Sequence, residues 1–542
     1  NGLPSVVDDG AVDLPLISSL GRAAAGVGRG VTTVRRRVGL ALHHDLTLAG
    51  VADALGEIHG DRCLVVVPEG DTLRTLTGAE IAAIVARWSS VVSARVEPGS
   101  RVVVATPNGY DQLLVCLAVA RAGALPVPVN DQMRPNEIDH VRRDAGAALI
   151  VRSASELDDA SGGGEPLAAA LPQPDDVAAL FYTSGTTGAP KGAELTHSAL
   201  VGQLSAAALV PRWVVRGETV AALPVAHIMG FVAYLGLALA GMPVVAVDHF
   251  DATQVLDLLE GRRAAGFIGV PTMYKRLLDA GAADRDLRSV RMWASGADVM
   301  PPELIEAFKG FGSIIDLPGA GRHGQAMFVE GYGMVETAGG VAAKISLPWL
   351  RLGEGSSLGV PFPGVRMKVV DEDGGDVGLG QVGELWIKAP GVLRGYWNAP
   401  EATADALTSD GWLRTGDLVR HGPLGSMAFR GRRKQVIKSG GYSVYPAEVE
   451  AALEEHPAVV EAAVVALAHH SLGEVPVAAV RLAAGGSRRR GSGSPDPTGD
   501  ELREWVGDRL AHYKAPRRVV IVDDLPRTGT GKVQKDRLAA EL

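Results

Sequence analysis

Strand-length apolar runs alternate with helical patterns through most of the first 350 residues. RVVVAT is followed by YDQLLVCLAVARAG and then by LPVPVN; AGFIGV precedes PTMYKRLLDAG, and VRMWAS precedes PPELIEAFKGF. Runs of this kind are apolar on both faces, so they are covered only when helices lie over both sides of the sheet. The alternation therefore predicts an α/β architecture with largely parallel, buried strands. From about residue 355 the texture changes to shorter strands and turns, VRMKVVDEDGG and then GELWIKAP, which reads as a β-rich subdomain. Beyond GRRK at Gly431 a small α+β pattern runs to Leu542. The expected organisation is an extension over 1–45 with no assigned role, a large domain over 46–430 and a small domain over 431–542. Within the last, GGSRRRGSGSPDPTGD reads as a flexible surface loop with solvated arginines.

A length of 542 residues fits two or more domains. The net charge of −9 argues against a general affinity for nucleic acid. Two cysteines, Cys63 and Cys116, make no disulfide framework, which points to a reducing compartment and a cytoplasmic location. The opening NGLPSVVDDG is acidic and lacks the basic region of a signal peptide. Met229 to Val247 carries no charge and approaches membrane-spanning length. Gly241 and Pro243 split it, so a buried helix followed by a core strand, MPVVAV, is expected instead of a span.

Five short motifs carry the chemistry. FYTSGTTGAPKG, from Phe181 to Gly192, packs three threonines, one serine, three glycines and one lysine into a single stretch. Glycines let a backbone approach a ligand closely, and turned amides with hydroxyls make a concave anion site to which a lysine adds charge. The Walker A spacing fails, because Pro190 precedes Lys191. GYGMVET (Gly331–Thr337), GWLRTGD (Gly411–Asp417), GRRKQVIKSGGYSVYPAEVE (from Gly431) and PRTGTGK (Pro526–Lys532) follow. Any one of them could be a turn; the set, in this order and spacing, is not expected by chance.

This set resembles the adenylate-forming superfamily of acyl-CoA synthetases, luciferases and adenylation domains, and is most similar to the acyl-CoA ligases, over roughly residues 50 to 542. The resemblance implies ATP, Mg²⁺ and CoA as co-reactants, an acyl-AMP intermediate, and a small C-terminal domain that rotates between two half-reactions. It assigns Thr183, Ser184, Thr186, Thr187 and Lys191 to the β- and γ-phosphates, and Glu336 to Mg²⁺, a hard cation suited to carboxylate oxygen. Tyr332 would stack on adenine, while Asp417 and Arg432 would hold the ribose. Lys532 matches the lysine of adenylation and Lys438 its counterpart for thioester formation. Gly441 would border the pantetheine tunnel, and Lys434 with Gln435 would form the hinge. His227 matches a gate between the ATP and acyl pockets, although a histidine on an apolar segment is more often a core residue. The expected acyl walls are Ile228, Met229, Val232, Gly269, Tyr274, Ala297, Gly339 and Gly340, none charged, so the acid is expected to have an apolar body, as a fatty acid or a bulky acid of secondary metabolism has.

GSSLG at Gly355 fits the hydrolase nucleophile pattern, but no strand precedes it and Pro361 and Pro363 follow where a helix should start. HHSLGE at His469 is read as a strand and turn of the small domain, not as a carrier-attachment serine. Alternatives to an acyl-CoA ligase are an acyl-AMP ligase loading a carrier protein, a luciferase-like oxygenase and a non-catalytic binding protein. A further one follows from Val335, where the family usually has threonine. It is an enzyme specialised in thioester formation on acyl-AMP supplied by a partner adenylating enzyme.

Overall fold

The computed structural model of the chain describes residues 46–70, 72–160, 168–183, 190–209, 217–317, 321–352, 356–440, 442–483, 496–527 and 532–542. The expected extension over 1–45, and with it Ser184, Thr186, Thr187 and Gly441, lies outside the described residues.

The apolar runs of the first half do become parallel strands. Arg101–Val104 pairs in parallel with Leu125–Pro128 and with Leu149–Val151. A parallel pair needs a crossover, and the buried helix Tyr110–Arg121 supplies it between the first two. In the largest sheet, Met327–Met334, Met292–Gly296, Gly266–Gly269, Thr219–Ala221 and Val244–Ala246 lie side by side, each parallel to the next. Antiparallel pairs that the alternation did not foretell include Cys63–Glu69 with Thr72–Thr77, Val177–Thr183 with Lys191–Thr196, and Met327–Met334 with Gly339–Ser346. The last two bracket loops that carry candidate site residues.

The uncharged run from Met229 divides as expected. Helix Ile228–Ala240 ends at Gly241, and strand Val244–Ala246 enters the large sheet. Gly241 has φ +70°, and a Cβ there would lie 2.6 Å from the His59 ring, so both backbone and space demand glycine. Helix and strand are buried in the core, and among the described residues no helix is long and apolar enough to cross a membrane. On the other face of the sheet, Phe267, Tyr274, Trp293, Phe308 and Phe328 pack edge to face or tilted in one cluster.

Arg366–Val370, Val382–Lys388, Leu413–His421 and Met427–Arg432 form the β-rich part, a four-stranded antiparallel sheet. Its last strand runs through Arg432, paired with Asp417, so the change of sheet comes at the 3-10 turn Arg433–Gln435 and not at residue 431. A second core follows. Its five-stranded sheet joins Tyr442–Val444, Ile437–Ser439, Gly473–Leu482, Val459–His469 and Arg518–Ile521, with helices Pro446–Glu454, Gly499–Gly507 and Lys535–Glu541 against it. HHSLGE is the hairpin turn between Val459–His469 and Gly473–Leu482.

Candidate active site

The β-rich sheet and the edge of the large sheet meet at Asp417. Its carboxylate is 1% exposed. Oδ2 accepts a 2.6 Å hydrogen bond from the Tyr332 hydroxyl, across 85 residues of sequence. Oδ1 lies 2.7 Å from Arg432 Nε, but out of line, and has no hydrogen bond. The backbone is fixed as well: Asp417 N donates to Thr415 Oγ1 at 3.0 Å, and Thr415 donates to Leu385 O at 2.7 Å. Burial pushes the Asp417 pKa up, with Arg432 and the Tyr332 hydroxyl opposing it. A buried acceptor that is short of a donor fits a hydroxylated ligand such as a ribose. Tyr332, expected only as a stacking ring, thus also positions this carboxylate.

Glu336 sits on the 3-10 turn Val335–Thr337 that closes the antiparallel pair Met327–Met334 and Gly339–Ser346. The turn is pinned by Thr337, whose hydroxyl donates to Gly339 O at 2.7 Å and accepts from Met334 N at 3.0 Å. Glu336 Oε1 accepts from the Tyr396 hydroxyl at 2.8 Å, and Glu336 O accepts from Leu393 N at 2.8 Å. The ring of Tyr396 lies under Lys191 Nζ, 5.6 Å from its centroid. Tyr396 therefore ties the end of the Gly/Thr loop to the acidic turn. At the loop's base Thr183 pairs with Lys191 across the two strands.

No group of three or more acidic, histidine or cysteine side chains gathers as a metal cage among the described residues. A lone Glu336 fits Mg²⁺, which keeps several waters and binds through one or two carboxylates together with substrate phosphates.

Lys532 comes from the small domain into this same cleft. It is half-buried, and desolvation pulls its ammonium pKa down; Asp298 opposes that, Arg432 reinforces it, and Asp417 and Glu336 oppose it. The pKa of His227 is lowered to about 4, first by burial and then by Lys532, so its imidazole is neutral at neutral pH. His227 caps the helix Ile228–Ala240 through Nδ1, which accepts from Met229 N at 3.3 Å.

Beside His227 the helix packs directly on glycine backbone. A Cβ at Gly339 would lie 3.0 Å from Val232 Cγ2, and one at Gly296 would lie 3.3 Å from Met229 Sδ. Met229, Val232, Gly339 and Gly296 therefore converge. Gly340 faces Phe362 at 3.3 Å, Ile228 is buried, and Ala297 is strained at φ +70°. Two expected walls belong elsewhere. Tyr274 is fully buried in the aromatic cluster, its hydroxyl donating to Ala294 O at 2.8 Å, so its ring is core. A Cβ at Gly269 would strike the Phe267 ring at 2.6 Å, which points it toward that same core.

Lys438 is not in the cleft: it is exposed on the small domain, where its Nζ donates to Ser443 Oγ at 2.8 Å. Lys434 and Gln435 occupy the 3-10 turn between the domains, next to Arg433, which lies 3.1 Å from Glu384. Sequence reasoning missed Tyr396, Thr415, Gly296 and Asp298. Thr415 stood inside the quoted GWLRTGD, but Tyr396 carries no charge to mark it.

The AMP-binding enzyme family profile matches residues 56–397, and that of the AMP-binding enzyme C-terminal domain matches residues 448–532. The chain is 34% identical over 484 residues to a feruloyl-CoA synthase of Amycolatopsis sp, covering 85% of this chain and 92% of that protein. It is 32% identical over 541 residues to 4-coumarate–CoA ligase 5 of Oryza sativa subsp. japonica, covering 92% and 94%. Among solved structures, the O-succinylbenzoate coenzyme A synthetase of Bacillus subtilis in complex with ATP and magnesium ion superposes with TM-score 0.76 at 26% identity, covering 90% of this chain and 99% of that one. With both profiles matched in order and the two folds in place, the chain belongs to the AMP-binding, adenylate-forming enzymes, as an ATP-dependent, AMP-forming acid–CoA ligase.

Proposed function

We propose that the protein converts an apolar carboxylic acid to its adenylate in the cleft around Asp417, Glu336 and Lys532, and then to its CoA thioester. The observation that carries this is Lys532: a half-buried lysine of the small domain whose charge is felt by, and feels, the Asp417 and Glu336 carboxylates of the large one. Asp417 Oδ1, short of a donor, would accept from the ribose, with Tyr332 and Arg432 beside it. Thr183 and Lys191 would face the β- and γ-phosphates. Glu336 would hold Mg²⁺, which when bound neutralises phosphate charge. The acid's carboxylate would attack the α-phosphorus, releasing pyrophosphate, while the Lys532 ammonium offsets the charge gathering there. A neutral His227 at the junction would add no positive charge to compete with Lys532. The small domain would then turn about Lys434–Gln435 and bring Lys438 inward. The uncharged surfaces of Met229, Val232, Gly296 and Gly339 suit an apolar acid. The ferulate-activating relative makes phenylpropenoic acids the first class to test, ahead of fatty acids, in a cytoplasmic setting.

The test is incubation with ATP, Mg²⁺, CoA and a carboxylic-acid panel, read by mass spectrometry. Acyl-CoA and AMP from an apolar acid are expected. Adenylate that accumulates until a carrier protein is supplied would replace CoA as the acceptor. No adenylate from any acid would overturn the reading.

Val335 supports a second reading, in which adenylation is weak and the protein works mainly on supplied acyl-AMP. The Val335 side chain packs against the apolar core, and the nearby Thr337 hydroxyl is committed to backbone.

A further inference from the structure

We propose that Lys275 and Glu454 form a latch that holds the small domain in the adenylating posture, which makes Lys275 a positioning residue for acyl-AMP formation alone. The inference rests on the two-step reading above. Lys275 stands on the large-domain helix Pro271–Asp279, and Glu454 ends the small-domain helix Pro446–Glu454. Nζ and Oε1 are 3.4 Å apart, with the side chains only 13% and 29% exposed. Tyr274, next in sequence to Lys275, is locked in the aromatic cluster, so the lysine projects from a rigid base.

The other acidic residues of that small-domain helix find their partners at home. Glu448 is 2.8 Å from Lys514, and Glu450 is 2.6 Å from Lys535 and 2.7 Å from Val464 N. Glu454 differs. Its own domain gives it one amide, Ala462 N at 3.2 Å, and its cation comes from the large domain. A carboxylate at the C-terminal end of a helix faces the carbonyl end of the dipole, and burial pushes the Glu454 pKa up, so it gains most from a cation. That cation is present only in the posture that puts Lys532 in the cleft and leaves Lys438 exposed. When the small domain turns, both partners return to water, where neither is stranded. A half-buried pair of this kind is strong enough to bias the posture and weak enough to release.

The posture can be read without substrate. In a Cys63→Ser background, spin labels at exposed Asp279 and Asp508, one per domain, report the interdomain distance. Lys275→Met should lower the ratio of adenylating to other postures by about three- to tenfold, the range of a half-buried pair. The swap Lys275→Glu/Glu454→Lys should restore it. Pyrophosphate release from acid and ATP should fall by a similar factor, while thioester formation from synthetic acyl-AMP holds or rises. A distance distribution unmoved by Lys275→Met, or equal slowing of both half-reactions, overturns the latch. A shifted distribution in a protein that adenylates no acid would leave the latch standing and remove the proposed function instead.

Discussion

Two lysines of the small domain sit in contrasting surroundings, one half-buried within the fields of Asp298, Arg432, Asp417 and Glu336, the other exposed beside Ser443. Their substitution should therefore separate the half-reactions. Lys532→Ala should slow acyl-AMP formation by about 10²–10³, the cost of one lost charge-stabilising donor. It should spare thioester formation from supplied acyl-AMP. Lys438→Ala should do the reverse, and equal damage by both would remove the two-faced domain. Val335 poses a sharper question. If a missing hydroxyl limits adenylation, Val335→Thr raises pyrophosphate release while thioester formation from acyl-AMP stays constant. If wild-type release is already robust and threonine does not improve it, the specialised half-enzyme is ruled out.

At the scale of elements, the proposed acyl side of the cleft depends on a helix lying against glycine. Gly339 has φ +111°, and an added methyl would press on Val232 at 3.0 Å. Gly339→Ala should cost about 1–3 kcal/mol from backbone strain. The check is urea unfolding, where the midpoint should fall with little change in slope. The sequence was legible where one physical pattern dominates. Doubly apolar runs gave the parallel strands, and Gly241 with Pro243 gave the break between helix and strand. It was less legible where contacts join distant segments. Nothing near Tyr332 announces that its hydroxyl holds Asp417, and Tyr396 reaches Glu336 across 60 residues. Tyr274 was misplaced because its helix presents two faces, and spacing alone does not say which one meets the cleft. The edge pairs escaped for a similar reason, since an antiparallel partner at a sheet edge leaves no crossover helix in the sequence.

Across the whole molecule, His197 ties the beginning of the described chain to the sheet, its Nδ1 accepting from Leu48 N at 3.0 Å. Burial lowers its pKa to about 4, with Asp176 opposing. Below the ordinary value near 6.5, the unfolded chain takes up a proton that the folded chain refuses. The stability this histidine contributes is therefore complete above about pH 6.5 and is lost as pH falls toward 4, by up to about 1.4 kcal/mol per pH unit. His197→Asn keeps an acceptor in place and removes the titration. Denaturant unfolding between pH 7 and 5 should show a shallower acid slope in that variant than in wild type.

The cleft draws its parts from segments far apart in the chain, Asp417 and Glu336 from the large domain and Lys532 from near the end of the small one. Synthesis runs from the N-terminus, so a growing chain acquires Asp417 and Glu336 well before Lys532. At about 5–20 residues per second, the interval between Asp417 and Lys532 is on the order of ten seconds. During that interval a ribosome-bound large domain would have the groups proposed to grip ATP but would lack the cation proposed to activate an acid with it. On the proposed role of Lys532, nascent chains would form a reactive adenylate about 10²–10³ more slowly until the small domain emerges to receive it.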